Sequence, residues 1–160
     1  MEKLNIICVD DQSEVLATLR KNLEFFSEFF EITDCESAEE AWEEIEEIDS
    51  EGDFLALIVC DHVMPSKNGV EFLTEFYEDS RFPFTKKMLL TGLATHEDTI
   101  SAINNAKIDC YIEKPWESAE LIKTIQTLVT EFILEKGLEY QEMLPILDQQ
   151  VVYRKLSGNS

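Results

Sequence analysis

Five polar side chains each follow a short apolar segment that is typical of a buried strand. They are Asp10, Asp11, Asp61, Thr91 and Lys114. In a parallel sheet the residues that follow the strands converge on one edge, which is where ligands bind. The sequence therefore predicts a single pocket that contains three carboxylates, one hydroxyl group and one ammonium group.

These residue types suit the handling of a phosphoryl group. Three carboxylates repel one another unless a cation is present, and their oxygens, with room for water, suit Mg²⁺ or Mn²⁺. The metal ion and Lys114 would offset the charge of a phosphoryl group, and the hydroxyl of Thr91 would donate a hydrogen bond to it. Asp61 would be the nucleophile and form an aspartyl phosphate, which needs no base because a carboxylate is ionised at neutral pH.

Each of these residues also has a simpler explanation. Asp10 and Asp11 could cap the helix that follows them, and Asp61 could be a turn residue. Thr91 could belong to a simple turn, and Lys114 could be a solvated loop lysine. All of these explanations would have to hold at one edge of one sheet, so the convergence of the residues favours the functional interpretation.

The segments before these residues are predicted strands, and helical patterns separate them. Their non-alternating apolar character fits a parallel sheet that is covered on both faces. The five candidates are Leu4–Val9, Glu31–Cys35, Phe54–Cys60, Met88–Leu90 and Cys110–Ile112. Ser37 with Glu40 predicts a capping box at the start of one helix. Strands and helices that alternate five times predict an α/β fold with a doubly wound parallel (βα)5 sheet and helices on both faces.

The C-terminal part of the chain carries further helical segments. A fifth helix should begin at Ser118 and weaken or end at Gly137, and Pro145 marks another break. Apolar residues of this helix, at alternating steps of four and three, form a seam that could pack on another helix. The seam consists of Leu121, Ile125, Leu128 and Phe132. Residues 138–156 form an amphipathic segment that could fold back, dimerise or lead towards a further domain.

The composition excludes several classes of function. The net charge is −21, from 34 acidic side chains against 13 Lys and Arg, so the clustered cations that bind nucleic acid or anionic lipid are lacking. Twelve acids and no base lie between Glu31 and Asp53, a segment that we interpret as a solvated surface. The four cysteines form no CxxC pair and predict reduced, buried thiols. No segment fits a signal peptide or a membrane span of roughly 20 residues, so we expect a soluble, cytoplasmic protein.

Residues 3–130 resemble the receiver domains of two-component response regulators. The resemblance rests on an ordered set of residues, which is far more specific than any single motif. The set is Asp10-Asp11, Asp61 in Asp-His-Val-Met-Pro with Gly69 following, Thr91-Gly92, and Tyr111 three residues before Lys114-Pro115. The resemblance implies a flavodoxin-like fold with strand order 2-1-3-4-5.

The resemblance also implies a phosphoacceptor and a metal site. Asp61 would accept a phosphoryl group from a sensor histidine kinase or a histidine phosphotransfer protein. Asp11, Asp61 and the backbone carbonyl of Val63 would hold Mg²⁺ directly, and Asp10 would act through water. His62 lies beside this site, where it more readily fits a residue at the mouth of the pocket than a proton-transfer group.

A conformational switch is implied by the same likeness. Thr91 and Lys114 would bind the phosphoryl oxygens, and the movement of Thr91 would let Tyr111 turn inward. Tyr111 could instead be an ordinary, partly buried aromatic residue. Val63 and Leu93 occupy positions that flank the hydrolytic water in this family, and both are apolar, which predicts slow self-dephosphorylation.

The sequence leaves three functions open. The first is a receiver whose phosphorylation switches a partner interface, or a dimer interface formed by the fifth helix and the C-terminal extension. The second is a Mg²⁺-dependent phosphohydrolase with an aspartyl phosphate, although such enzymes usually resemble Asp-x-Asp and the residues here are Asp10, Asp11 and Gln12. The third is an interaction domain that is never phosphorylated. We expect no DNA-binding segment and no separate catalytic output, with a receiver over residues 1–130 and a helical extension or linker over 131–160.

Overall fold

A five-stranded parallel sheet forms the centre of the chain. The structure is a computed structural model that describes residues 2–92, 97, 100 and 102–158. The strands are β1 (Leu4–Val9), β2 (Phe30–Cys35), β3 (Phe54–Asp61), β4 (Lys86–Thr91) and β5 (Cys110–Glu113). Their order is β2-β1-β3-β4-β5, and every pairing is parallel. The predicted flavodoxin-like α/β fold and its strand order are therefore confirmed.

Helices cover both faces of this sheet. They are α1 (Ser13–Leu23), α2 (Ala38–Glu51), α3 (Gly69–Glu78), a π-helical segment that we label α4 (Ala102–Ala106), α5 (Ser118–Lys136) and α6 (Gln149–Leu156). One apolar cluster joins the sheet to α1 and α5, and a second joins it to α2, α3 and α4. β1 and β4 are buried at every position, because side chains on both faces of these central strands meet helices.

The start of α2 follows the predicted capping pattern in part. The side chain of Ser37 accepts a hydrogen bond from the backbone N–H of Glu40, as predicted. The carboxylate of Glu40, however, accepts from the backbone N–H of Glu36 instead of that of Ser37. None of the twelve acids between Glu31 and Asp53 is buried, which agrees with a solvated surface.

The long helix α5 begins at Ser118 and ends at Gly137, as predicted. Gly137 has φ 76°, a left-handed conformation that favours glycine. The predicted seam, however, lies inside the domain, where its members belong to the apolar cluster under α1 and α5. The seam consists of Leu121, Ile125, Leu128 and Phe132, all of them buried. It therefore packs inside the domain, on the sheet and on α1, so these four side chains do not form the dimer contact that the sequence allowed.

The C-terminal extension folds back on the outer side of α5. It consists of a 3-10 helix (Gln141–Ile146), which contains Pro145, and α6. Met143, Ile146, Leu147 and Val152 are buried in the same cluster as α5. Of the three arrangements that the sequence left open for this segment, the described residues adopt the folded-back one.

Asp148 anchors the extension, and we call this group of contacts the Asp148 anchor. Its carboxylate accepts hydrogen bonds from Thr127 Oγ1 (2.7 Å) and Lys123 Nζ (3.3 Å) on α5. The same carboxylate caps α6 by accepting from the backbone N–H of Gln150 (3.0 Å), and the Asp148 N–H donates to Thr130 Oγ1 (2.9 Å). The anchor thus joins α5 and α6 through a single buried side chain.

Candidate functional site

The ends of the parallel strands bring the predicted acids together. Asp10 follows β1 and Asp61 is the last residue of β3, two strands that lie side by side. One carboxylate oxygen from each of Asp10, Asp11 and Asp61 lies within 4.8 Å of the others. Asp10 and Asp61 are buried, whereas Asp11 is exposed at the rim. We call these three acids with Lys114 the carboxylate pocket.

Lys114 reaches into this pocket from the end of β5. Its Nζ lies 2.8 Å from Asp61 Oδ1 and 3.0 Å from Asp10 Oδ2. Its backbone N–H donates to the carbonyl of Thr91 (2.8 Å), so the chain after β5 is held against the end of β4. The ammonium group therefore bridges the two buried acids, and Lys114 is not a solvated loop lysine.

Asp10 and Asp11 do not cap the helix that follows them. Gln12 is the residue at the N-cap of α1, and its side chain makes no capping hydrogen bond. Asp10 Oδ1 instead accepts from the backbone N–H of Gln12 (2.9 Å), and its own N–H donates to the carbonyl of Cys35 (3.0 Å). These bonds fix Asp10 with its second oxygen directed at Lys114.

Gly69 allows the loop after β3 to close tightly behind Asp61. A Cβ atom on Gly69 would lie 2.2 Å from the backbone oxygen of Asp61, which is far inside van der Waals contact. The Gly69 N–H donates to the carbonyl of His62 (2.8 Å), and Asn68 and Glu71 form a full capping box at the start of α3. Any side chain at position 69 would displace the backbone that carries Asp61.

The pocket holds more negative than positive charge. Burial raises the pKa of Asp61, and the neighbouring charges of Asp10 and Asp11 raise it further, while the hydrogen bond to Lys114 only partly offsets these effects. Burial alone would lower the pKa of Lys114, but its bonds to Asp61 and Asp10 outweigh burial and raise the pKa. Three carboxylates share one ammonium group, so the pocket favours an added cation.

The remaining predicted residues lie around this pocket. Thr91 is buried at the end of β4, and Tyr111 lies on β5 with 44% of its surface exposed. Val63 lies in the loop after β3 with 75% of its surface exposed. His62 is partly buried, and its backbone N–H donates to the carbonyl of Leu90 (2.9 Å). Leu93 lies outside the described residues, and the roles inferred for this set stay predictions.

One residue near the pocket, Asn22, was not predicted from the sequence. Asn22 is buried on α1, and its side chain bonds to Trp116 and Ser118 in the segment that follows Lys114. The available signal was a polar residue on the apolar face of a helix, between Leu19 and Leu23. A buried amide is tolerated only when it is hydrogen-bonded, so such a residue indicates a specific contact.

Comparison with known proteins identifies the family to which this fold and this pocket belong. The chain belongs to the response regulator receiver domain family, whose model matches residues 6–126. It is therefore a receiver domain of the kind found in two-component response regulators. In the part of the chain that the structure describes, every helix is too short or too polar to cross a membrane.

Curated relatives include two regulators from bacteria. The chain is 33% identical over 134 residues to the hydrogenase transcriptional regulatory protein HoxA of Bradyrhizobium diazoefficiens, which covers 84% of this chain and 26% of that protein. It is 30% identical over 164 residues to HoxA of Cupriavidus necator, which covers 99% of this chain and 32% of that protein. The chain thus spans between about a quarter and a third of the length of these relatives.

Solved structures of receiver domains superpose well on this chain. A CheY-like receiver domain protein from Methanospirillum hungatei has a TM-score of 0.70 and 30% identity, covering 84% of this chain and 99% of that one. The signal receiver domain of an HD domain-containing protein from Pseudomonas fluorescens has a TM-score of 0.73 over 86% of this chain and 94% of that one. At 22% identity, this second match supports the fold alone.

Proposed function

We propose that Asp61 is the phosphoacceptor of a two-component pathway and receives its phosphoryl group from a sensor histidine kinase or a histidine phosphotransfer protein. The observation that carries this proposal is the carboxylate pocket, in which Asp61 is buried beside two further acids and one lysine. Membership of the receiver family supports the same assignment. The pocket would act as the input site of the domain.

The three acids fit a hard divalent cation. Their oxygens lie close together, one acid is exposed to water, and the surplus of negative charge favours occupation by Mg²⁺, with Mn²⁺ as an alternative. We assign Asp11, Asp61 and the backbone carbonyl of Val63 as ligands and Asp10 as a contact through water. When bound, the ion would offset negative charge on the phosphoryl oxygens.

The chain's own residues account for the transfer of the phosphoryl group. An oxygen of the Asp61 carboxylate forms the new bond to phosphorus, and the bond between phosphorus and the donor's imidazole nitrogen breaks. The electron pair stays on the imidazole, which leaves neutral because its other nitrogen carries a proton. Lys114 lies 2.8 Å from Asp61, where its ammonium group would stabilise the charge on the transferred group.

The same transfer would trigger the switch. The phosphoryl group carries about −1.5 to −2 charges and three acceptor oxygens, which would draw the buried hydroxyl of Thr91 towards the pocket. Tyr111 lies on the strand beside Thr91 and is 44% exposed, so an inward turn would change the surface at the edge strand β5. We assign this surface to a partner or to a second copy of the chain. Because Val63 is apolar and exposed, we expect the phosphoryl group to be lost slowly.

Intact mass spectrometry tests the phosphoacceptor directly. The protein is incubated with acetyl phosphate and Mg²⁺, and wild type is compared with Asp61→Asn. We expect one phosphoryl adduct on wild type and none on the variant, because only the carboxylate can form the acyl phosphate. Asp148→Asn is the matched control, since it removes another buried carboxylate, and it should keep the adduct. An adduct on Asp61→Asn, or none on wild type, would reject the proposal.

A further inference from the structure

Asn22 is a buried polar residue with both ends of its amide occupied. Only 9% of its surface is exposed. Trp116 Nε1 donates to Asn22 Oδ1 (2.9 Å), and Asn22 Nδ2 donates to Ser118 Oγ (3.0 Å). An amide in an apolar cluster lowers stability unless its hydrogen bonds are made, so these two contacts are what makes asparagine tolerable here.

Both partners of Asn22 belong to the short segment that begins with Lys114. Trp116 lies two residues after Lys114, and Ser118 is the first residue of α5. At the other end of this segment, the Lys114 N–H is bonded to the carbonyl of Thr91 (2.8 Å). The segment is therefore fixed at both ends, by the end of β4 and by α1.

The acids of the pocket are held by different contacts. Asp10 is fixed by bonds to Gln12 and Cys35, and the backbone of Asp61 is packed against Gly69. A change at Asn22 would therefore displace Lys114 and its bonds to Asp10 and Asp61, while the other contacts that hold these two acids would remain. The proposed metal ligands are the carboxylates and the carbonyl of Val63, none of which bonds to Asn22, whereas phosphoryl transfer also needs the ammonium group.

We propose that Asn22 is a positioning residue that holds Lys114 in place for phosphoryl transfer through its bonds to Trp116 and Ser118. This inference rests on the proposed function of the pocket. A displacement of about 1 Å of a group that positions a reaction can lower its rate by up to about a hundredfold. The bonds of Asn22 thus connect helix α1 to Lys114, which lies at the other end of the segment.

The rate of phosphorylation by acetyl phosphate tests this assignment. Asn22→Leu keeps the branched shape and the number of side-chain heavy atoms and removes both bonds, and we expect the rate to fall about tenfold. Trp116→Phe removes one bond while keeping most of the ring, and we expect a fall of about threefold. The Mg²⁺ affinity of both variants, measured by calorimetry, should stay within about twofold of wild type, because Asp10 and Asp61 keep the contacts that do not involve Lys114.

Two controls separate positioning from a general loss of stability. Thr130→Val removes two hydrogen bonds of a buried side chain on α5, to Gln126 and Asp148, and should leave the phosphorylation rate unchanged. In a Lys114→Ala background, Asn22→Leu should have no further effect on the rate, because Asn22 acts through Lys114. If Asn22→Leu lowered the rate by the same factor in the Lys114→Ala background as in wild type, the proposal would be rejected.

The remaining outcomes are also distinct. A wild-type rate in Asn22→Leu, or a parallel fall in rate and Mg²⁺ affinity, would contradict the positioning role while leaving the phosphoacceptor assignment intact. If wild type itself takes no phosphoryl group, the proposed function fails instead. Should Asn22→Leu not fold, Trp116→Phe decides the question, and a wild-type rate for it would reject the proposal.

Discussion

The carboxylate pocket and the Asp148 anchor each place a buried aspartate beside a lysine, yet the two sites differ in their electrostatics. Asp61 and Asp148 are both 5% exposed, and their oxygens lie 2.8 Å from Lys114 and 3.3 Å from Lys123. The pKa of Asp61 is nevertheless raised, whereas that of Asp148 is lowered. The presence of a lysine therefore does not explain the difference.

The difference lies in the other neighbours of each carboxylate. Burial alone would raise the pKa of Asp148, but bonds from Thr127, Lys123 and the backbone N–H of Val151 outweigh burial and lower it. Asp61 has two further acids beside it, so burial and repulsion prevail over Lys114. A carboxylate that joins two helices is thus surrounded by donors, whereas the proposed phosphoacceptor is left short of positive charge, which favours a cation.

The largest expected effect comes from replacing Asp61 by asparagine. Asp61→Asn should lose the phosphoryl adduct completely, while its free energy of unfolding in the absence of Mg²⁺ stays equal to or above that of wild type. The reason is that the neutral amide removes a charge which the pocket disfavours. Mass spectrometry and urea unfolding measure the two quantities. A marked loss of stability in Asp61→Asn would remove the contrast with Asp148.

Addition of Mg²⁺ should stabilise the folded chain through the carboxylate pocket and not through the Asp148 anchor. At a free concentration of about one hundred times its dissociation constant, the ion should raise the free energy of unfolding of wild type by about 2.7 kcal/mol. Asp148→Asn should show the same increase, and Asp61→Asn a smaller one, because it lacks a proposed ligand. Urea unfolding with Mg²⁺ and with a chelator gives the difference. Equal increases in all three proteins would argue against binding at the pocket.

Removal of the anchor should destabilise the chain without affecting the chemistry. Asp148→Ala removes the cap of α6 and the bonds to Thr127 and Lys123, which should lower the free energy of unfolding by about 2 kcal/mol. The rate of phosphorylation should match that of wild type. Urea unfolding and mass spectrometry check these outcomes, and a slower rate in the folded variant would mean that anchor and pocket are coupled.

The smallest expected effect is a dependence on pH. Because the pKa of Asp148 is lowered on folding, its charge stabilises the folded chain above the ordinary aspartate pKa of 3.8. This stabilisation is lost as the pH falls through the folded-state pKa. The stability difference between wild type and Asp148→Asn, about 1 kcal/mol at pH 7, should therefore shrink in acid. If this stability difference instead grew between pH 7 and about pH 3, the pKa of Asp148 would be raised on folding and not lowered.

The strands and the residues at their ends could be predicted from the sequence because they depend on local pattern. β1 has the predicted bounds, and β3 extends only one residue further, to Asp61. β4 begins two residues before the predicted run, at Lys86, because two lysines at its start are buried by contacts from other elements. Lys86 bonds to Glu135 on α5, and the ammonium of Lys87 lies over the ring of Tyr77.

The seam of α5 shows where a local pattern is insufficient. Apolar steps of four and three fit a contact with a sheet as well as a contact with a helix, since both require one apolar stripe. The opposite side of α5 carries Thr127 and Thr130, which bond to Asp148, and no local pattern around these two threonines predicts that contact. Which surface an apolar stripe packs against is decided by how the whole chain folds.

The sequence by itself determined the parallel sheet and the approach of Asp10, Asp61, Thr91 and Lys114 to one edge, because parallel strands with short connections carry the residues after them to the same side. Only the tertiary structure decided how Asn22 holds the segment after Lys114 and how Asp148 holds the extension, since these contacts join residues that no local spacing relates. Asn22 and Ser118 are 96 positions apart in the chain, and their hydrogen bond of 3.0 Å exists only once packing has brought them together.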